Sequence, residues 1–140
     1  MEKVLKGRPV IAGAATGVAI VSREALSFWG GLDPHSGEII DRHHERSGSL
    51  VSGKVFVFPR GKGSSTGSAI LLECIKSGNG PAAIINLEVD PILALGAIVA
   101  EVLYQQSIPI VVLSQKDCET IKEGDRLTIA TDGTIVVNRS

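Results

Sequence analysis

The chain has 140 residues, 44% of them hydrophobic, which supplies a folded core and excludes an intrinsically disordered chain. Its 14 basic and 15 acidic residues leave a formal charge of −1 and aromatics make up only 4%, so it carries neither the electrostatic footprint of a nucleic-acid or anionic-membrane binder nor a base-stacking platform. Every apolar run is broken by Gly, Pro or charge before it reaches membrane-spanning length, and the expectation is one soluble, cytoplasmic domain over residues 1–140.

In chain order, Pro9-Val10-Ile11-Ala12-Gly13 and Gly17-Val18-Ala19-Ile20-Val21 are β-branched runs that predict two strands opening a barrel or sandwich. Residues 22–52 turn to Gly, Ser, Asp, His and Arg, and a loop this long within a compact domain is either functional or holds elements that the pattern does not show. Val55-Phe56-Val57-Phe58 reads as a strand, followed by a helix from Ser64 to about Lys76 that stops at Ser77-Gly78-Asn79-Gly80. Ala82 to Leu87 reads as a buried strand. Asp90-Pro91 is the pairing of a helix start, and the apolar stretch from Ile92 to Ala100 predicts a largely buried helix. Ile108 to Leu113 is a further strand, so the strand–helix–strand order implies a parallel pair. From Ile121 to Val137 two alternating runs meet at Asp132-Gly133, the signature of a hairpin. The fold class is therefore α/β, β-rich with about two crossover helices and a C-terminal hairpin, rather than a doubly wound nucleotide fold.

The chemistry concentrates at the junction Arg60-Gly61-Lys62-Gly63-Ser64-Ser65-Thr66-Gly67-Ser68, where a glycine-rich loop runs into a helix. Unpaired backbone N–H groups and the positive dipole end at a helix start favour an anion, whether phosphate, carboxylate or serine alkoxide. The same residue types are ordinary helix caps and turn formers, so capping stands beside anion binding as a reading of this loop. A nucleotide phosphate loop does not fit, because Gly-Lys must be followed directly by Ser or Thr and here Lys62 is followed by Gly63.

Ser27-Phe28-Trp29-Gly30-Gly31-Leu32-Asp33-Pro34, then Gly61 to Ser68, then Asn86-Leu87-Glu88-Val89-Asp90-Pro91-Ile92 resemble the swivel domain of the aconitase X family, a likeness that covers nearly the whole chain. The resemblance implies a swivelling β/β/α domain, either fused to a large catalytic part or made as a separate small subunit. For a free chain of this length it implies the small subunit of a hydro-lyase that dehydrates (R)-5-phosphomevalonate to trans-anhydromevalonate 5-phosphate. Relatives acting on hydroxyprolines are the alternative substrate class, and a non-catalytic docking or regulatory module is the alternative role. Broader aconitase relatives carry Gly-Ser-Ser-Arg at this loop, and the first serine abstracts the substrate proton. On this chain that serine is Ser64, followed by Ser65, and Thr66 stands where the relatives have a carboxylate-gripping arginine. Lys62, Gly63, Ser65 and Thr66 are the implied substrate-binding set, with arginine recognition of a carboxylate left to the partner chain. A serine base requires a stabilised alkoxide, which helix-start N–H groups, the unhindered backbone of Gly63 and the charge of Lys62 or Arg60 can supply.

Cys74 and Cys118 form no C-x-x-C pair and read as two buried thiols. Two scattered cysteines cannot hold the 4Fe-4S cluster that the resemblance implies, which places it in a large partner subunit, with no metal bound by this chain. Phe28, Trp29, Gly30 and Gly31 are the candidate interface or pocket segment, and Asp33 before Pro34 reads as a turn cap. Within Asp41-Arg42-His43-His44-Glu45-Arg46 the dense charge predicts a solvated surface or an interface rather than a metal or phosphohistidine site, and His35 is weighed alike.

Overall fold

The computed structural model describes residues 2–63, 66–106 and 108–139. Strands β1 (Glu2–Lys6), β2 (Arg8–Ile11) and β3 (Ala15–Val21) open the chain. A one-turn element α1 (Phe28–Gly31) follows, its interior leaving helical geometry at Trp29 and Gly30, and then the short strands β4 (Leu32–Asp33) and β5 (Glu38–Ile39). The central run is β6 (Val55–Val57), α2 (Gly67–Lys76), β7 (Ala83–Asn86), α3 (Pro91–Tyr104) and β8 (Ile110–Val112). The chain closes with α4 (Gln115–Cys118), β9 (Arg126–Ile129) and β10 (Thr134–Asn138).

Among the described residues these strands build an eight-stranded sheet in the order β1-β10-β9-β3-β6-β7-β8-β2, with β4 and β5 paired apart from it. The pairs β3/β6, β6/β7 and β7/β8 are parallel, joined by the long segment from Ser22 to Lys54, by α2 and by α3 respectively, and the others are antiparallel. The two edge strands, β1 and β2, are consecutive in sequence with Gly7 alone between them, so the sheet must curl back on itself. β1 is missing from the sequence expectation because Leu5 is its single buried residue, which leaves no alternation to read.

Period-2 alternation then divides the apolar side chains between two cores. Ala19, Val55, Val57, Ala83, Ile85 and Val111 face the inside of the curl with Leu127, Ile129, Ile135 and Val137. Their neighbours Ile20, Phe56, Ile84 and Ile110 face the opposite side, beneath Leu71 and Cys74 of α2 and Leu93, Ala97 and Ala100 of α3. The result is sheet, sheet and helix in layers. The stretch from Ser22 to Ser52, predicted as a loop, is fastened to the helix-side core by Leu26, Phe28, Leu32, Ile39 and Val51.

The helices pack closely because α3 presents a glycine to α2. A Cβ on Gly96 would lie 2.7 Å from the carbonyl oxygen of Ser68, so no side chain fits there without moving one helix. The expectation of a largely buried α3 is only half met. Leu93, Ala94, Gly96, Ala97 and Ala100 are buried, whereas Leu95, Ile98, Val102 and Leu103 lie in solvent. Overall hydrophobicity could not reveal this, since a helix apolar all round is expected to be covered all round. No helix among the described residues is long and apolar enough to cross a membrane.

The C-terminal hairpin is fastened by a buried carboxylate. Asp125 accepts from Arg139 Nε at 3.1 Å, from Arg139 Nη2 at 2.9 Å and from the Lys122 N–H at 2.8 Å. The Arg139 hydrogen bonds hold its carboxyl below the usual carboxylate range against burial, which raises it, and the Lys122 N–H adds to the lowering. An acid that is stronger folded than unfolded stabilises the fold above its unfolded pKa of about 3.9, and that contribution is lost as pH falls through the lower folded value. Asp125→Asn is therefore expected to melt lower at pH 7, with the gap to wild type closing as melting curves are taken down to pH 3. A gap independent of pH would overturn this assignment.

Candidate functional site

Three segments far apart in sequence meet at one cleft of about 270 Å³, lined by Phe28, by Arg60, Gly61, Lys62 and Gly63, by Gly67, and by the run from Glu88 to Leu93. Backbone hydrogen bonds stitch the first two together, from Leu26 N–H to Arg60 O at 3.3 Å and from Lys62 N–H to Leu26 O at 3.1 Å. Asp90 ties in the third. Its Oδ1 caps α3 by accepting from the N–H groups of Ile92 at 3.0 Å and Leu93 at 3.3 Å, while its Oδ2 accepts from Gly61 N–H at 2.9 Å. The cap is the role that Asp-Pro predicts, and Pro91 sits at the first helical position without a donor to lose. The tether to Gly61 is invisible in sequence, because a carboxylate's second oxygen can serve any donor the fold delivers.

Gly63 has φ +91°, a left-handed conformation that suits glycine, and a Cβ there would lie 3.0 Å from Ser27 Oγ. The loop thus needs a glycine for its turn and for the approach of the Ser27 segment. Ser64 and Ser65, the predicted base and its neighbour, lie outside the described residues. Thr66 follows them with its carbonyl accepting from Ala69 and Ile70 at 3.0 and 3.2 Å, and α2 begins at Gly67, whose own Cβ position lies 3.7 Å from that of Phe28. The loop therefore enters the first turn of α2 beside the cleft.

Lys62 is exposed at the cleft, and Arg60 Nε is 3.6 Å from Glu88 Oε1 with both side chains more than half in solvent, a weak, screened pair. Within the candidate interface segment Phe28 and Gly31 are buried, Gly30 turns with φ +77°, and Trp29 stands 59% exposed, its carbonyl accepting from Ser27 Oγ at 3.0 Å.

The other singled-out residues sit elsewhere. Asp33 Oδ1 accepts from His35 N–H at 2.9 Å, the turn role expected for it. His35 and His43 are exposed, and so are Arg42 and Glu45, but His44 is buried, which corrects the reading of a solvated surface or interface at that one residue. Its Nδ1 accepts from Arg46 N–H at 3.1 Å, and its Nε2 lies 3.4 Å from both Ser22 Oγ and Glu24 O, so this histidine pins the loop between Ser22 and Arg46. Cys74 is fully buried and donates to Asn79 O, whereas Cys118 is only partly buried against the second core, so the expectation of two buried thiols is met in full by Cys74 alone. Burial pushes both thiols up to about 11, so neither offers a thiolate at neutral pH. They belong to different cores, and among the described residues no group of three or more His, Cys, Asp or Glu could hold a metal ion. The chain's own cysteines do not fit an iron–sulfur cluster. A larger hollow of about 550 Å³ lies between β3, α4 and the His44 loop, but Arg23, Arg46 and Lys122 are matched there by Glu45, Glu119 and Glu123.

Removing the Asp90 carboxylate should unfasten the cleft. Asp90→Ala is expected to cost about 1–2 kcal/mol through the lost cap, with faster amide exchange at Gly61, whereas Asp90→Asn keeps an acceptor for the cap and loses less. Unchanged exchange at Gly61 in Asp90→Ala would refute the tether.

A curled mixed sheet carrying two helices on one face, with a glycine-rich loop entering the first of them, defines a swivelling β/β/α domain. Residues 4–137 match the aconitase X swivel domain, and the chain belongs to that family. The crystal structure of Thermococcus kodakaraensis aconitase X in its holo-form superposes with a TM-score of 0.88 at 37% identity, over 98% of this chain and 99% of that one. The chain is 45% identical over 131 residues to the phosphomevalonate dehydratase small subunit of Methanocella arvoryzae, covering 93% of each. It is 51% identical over 109 residues to the cis-3-hydroxy-L-proline dehydratase of Pseudomonas aeruginosa, but spans only 19% of that enzyme's length.

Proposed function

We propose that residues 1–140 form one swivel-type domain acting as the small subunit of a phosphomevalonate dehydratase, a hydro-lyase whose active site is shared with a larger subunit. The observation that carries this reading is the coextensive match: the chain and the Methanocella small subunit cover 93% of each other. Small subunits from Methanosarcina acetivorans and Methanothrix thermoacetophila match in the same way, at 43% and 38% identity.

In this reading Ser64 takes the proton from the substrate carbon. Its alkoxide is stabilised by the first-turn N–H groups of α2 and by the charge of Lys62, while Ser65, Thr66 and the backbone at Gly63 contact substrate. The cleft wall from Glu88 to Leu93, held by Asp90, orients it. The iron–sulfur cluster belongs to the larger subunit and, when bound there, supplies a Lewis acid for the departing hydroxyl.

The test is reconstitution. This chain, alone and co-expressed with the larger subunit from its own genome, is assayed for water loss from (R)-5-phosphomevalonate and from cis-3-hydroxy-L-proline. The expected result is turnover of the phosphorylated acid by the complex only. The 51% identity to the Pseudomonas enzyme favours the hydroxyproline as the second reading, and turnover of it alone would establish that instead. Dehydration by the isolated chain would refute a shared site.

A further inference from the structure

The outward face of α3 is an apolar stripe that no described residue of this chain covers. Pro91, Leu95, Ile98 and Val102 follow one another at i, i+4, i+7 and i+11, the spacing that brings residues onto one side of a helix. All four are exposed, with Leu95 at 54%, Ile98 at 47% and Val102 at 69%. None of the four is charged, and the one charged residue of α3, Glu101, is exposed at the edge of the stripe beside Val102. Contiguous exposed apolar surface of this kind marks a contact with another protein.

The position of the stripe says which protein. It starts at Pro91 with Val89 just before it, and both residues line the cleft, so the stripe runs directly out of the candidate site. A body that completes the cleft from outside must pass over this end of α3. The relatives supply that body in two forms, since the same domain makes up 19% of a single longer enzyme in Pseudomonas and is a separate small subunit in Methanocella. The buried side of α3 meanwhile locks onto α2 at Gly96, which makes the stripe a rigid ridge rather than a flexible arm. We infer that the Leu95–Ile98–Val102 ridge of α3 is the docking surface for the larger subunit, seating it against the cleft with Trp29 exposed on the α1 segment as a second anchor.

This inference rests on the two-subunit reading, and the test separates the two. The wild-type chain and a Leu95→Glu/Val102→Lys double variant are each titrated with the purified larger subunit. Both positions are exposed, so the variant should keep the wild-type far-UV spectrum and melting temperature while its Kd rises by about 100-fold or more. An Ile98→Ser variant, a milder change, should weaken binding in the same direction. Equal affinity of wild type and variants for the larger subunit overturns the docking surface and leaves the two-subunit reading intact. Failure of the wild-type chain to bind the larger subunit overturns both. If light scattering shows the wild-type chain dimeric and the variants monomeric, with the larger subunit bound equally by all, the ridge seats a second copy and the inference is wrong.

Discussion

Replacing Ser64 by Ala should lower kcat of the reconstituted dehydratase by about 10²–10⁴-fold, the usual contribution of a positioned general base. A base that acts on the proton in flight, rather than on substrate held in the ground state, predicts little change in KM. Association with the larger subunit should be untouched. The competing role, a helix cap, predicts the reverse pattern of about 1 kcal/mol of lost stability with turnover kept. Ser65→Ala is the internal control, since a substrate-contacting hydroxyl should affect KM more than kcat. A Ser64→Ala enzyme with wild-type kcat would remove the base from Ser64 and return the loop to the capping explanation.

The second large effect is on stability. Phe56 is fully buried and stacks on Phe58 with ring centroids 4.1 Å apart, and Phe58 in turn stacks on Phe28 at 5.9 Å. The three rings run from the centre of β6 to the wall of the cleft, so a cavity at Phe56 undermines both. Phe56→Ala is expected to cost about 3–5 kcal/mol, a large share of the roughly 5–15 kcal/mol that holds a domain together. Phe56→Leu, which keeps most of the volume, should cost less than about 1.5 kcal/mol. Urea unfolding followed by far-UV circular dichroism measures both. A loss below about 1 kcal/mol in Phe56→Ala would mean that the core collapses around the gap, contrary to its dense packing.

What could be read from the chain was whatever a local pattern writes. Asp90-Pro91 announced α3 because capping involves only the next few residues, and the hairpin at Asp132-Gly133 announced itself because its turn is closed within four residues, with Gly133 N–H on Ala130 O and φ +91°. The unbroken apolar run Val55-Phe56-Val57-Phe58 marked a strand buried on both faces, and two separate cores take up its alternate side chains. The glycines from Gly61 to Gly63 were likewise legible as a turn, and Gly63 takes φ +91°.

Tertiary structure decided the rest. It brought Phe28, Gly61 and Asp90 to one cleft by hydrogen bonds between residues about thirty positions apart, which no local period encodes. It buried His44 inside a charged segment by giving each ring nitrogen a partner, and it set β1 beside β10 with only Leu5 to mark it. It also left one face of an apolar helix uncovered. Composition gives the amount of apolar surface a chain carries, but only packing determines which of it is left for another chain to bury.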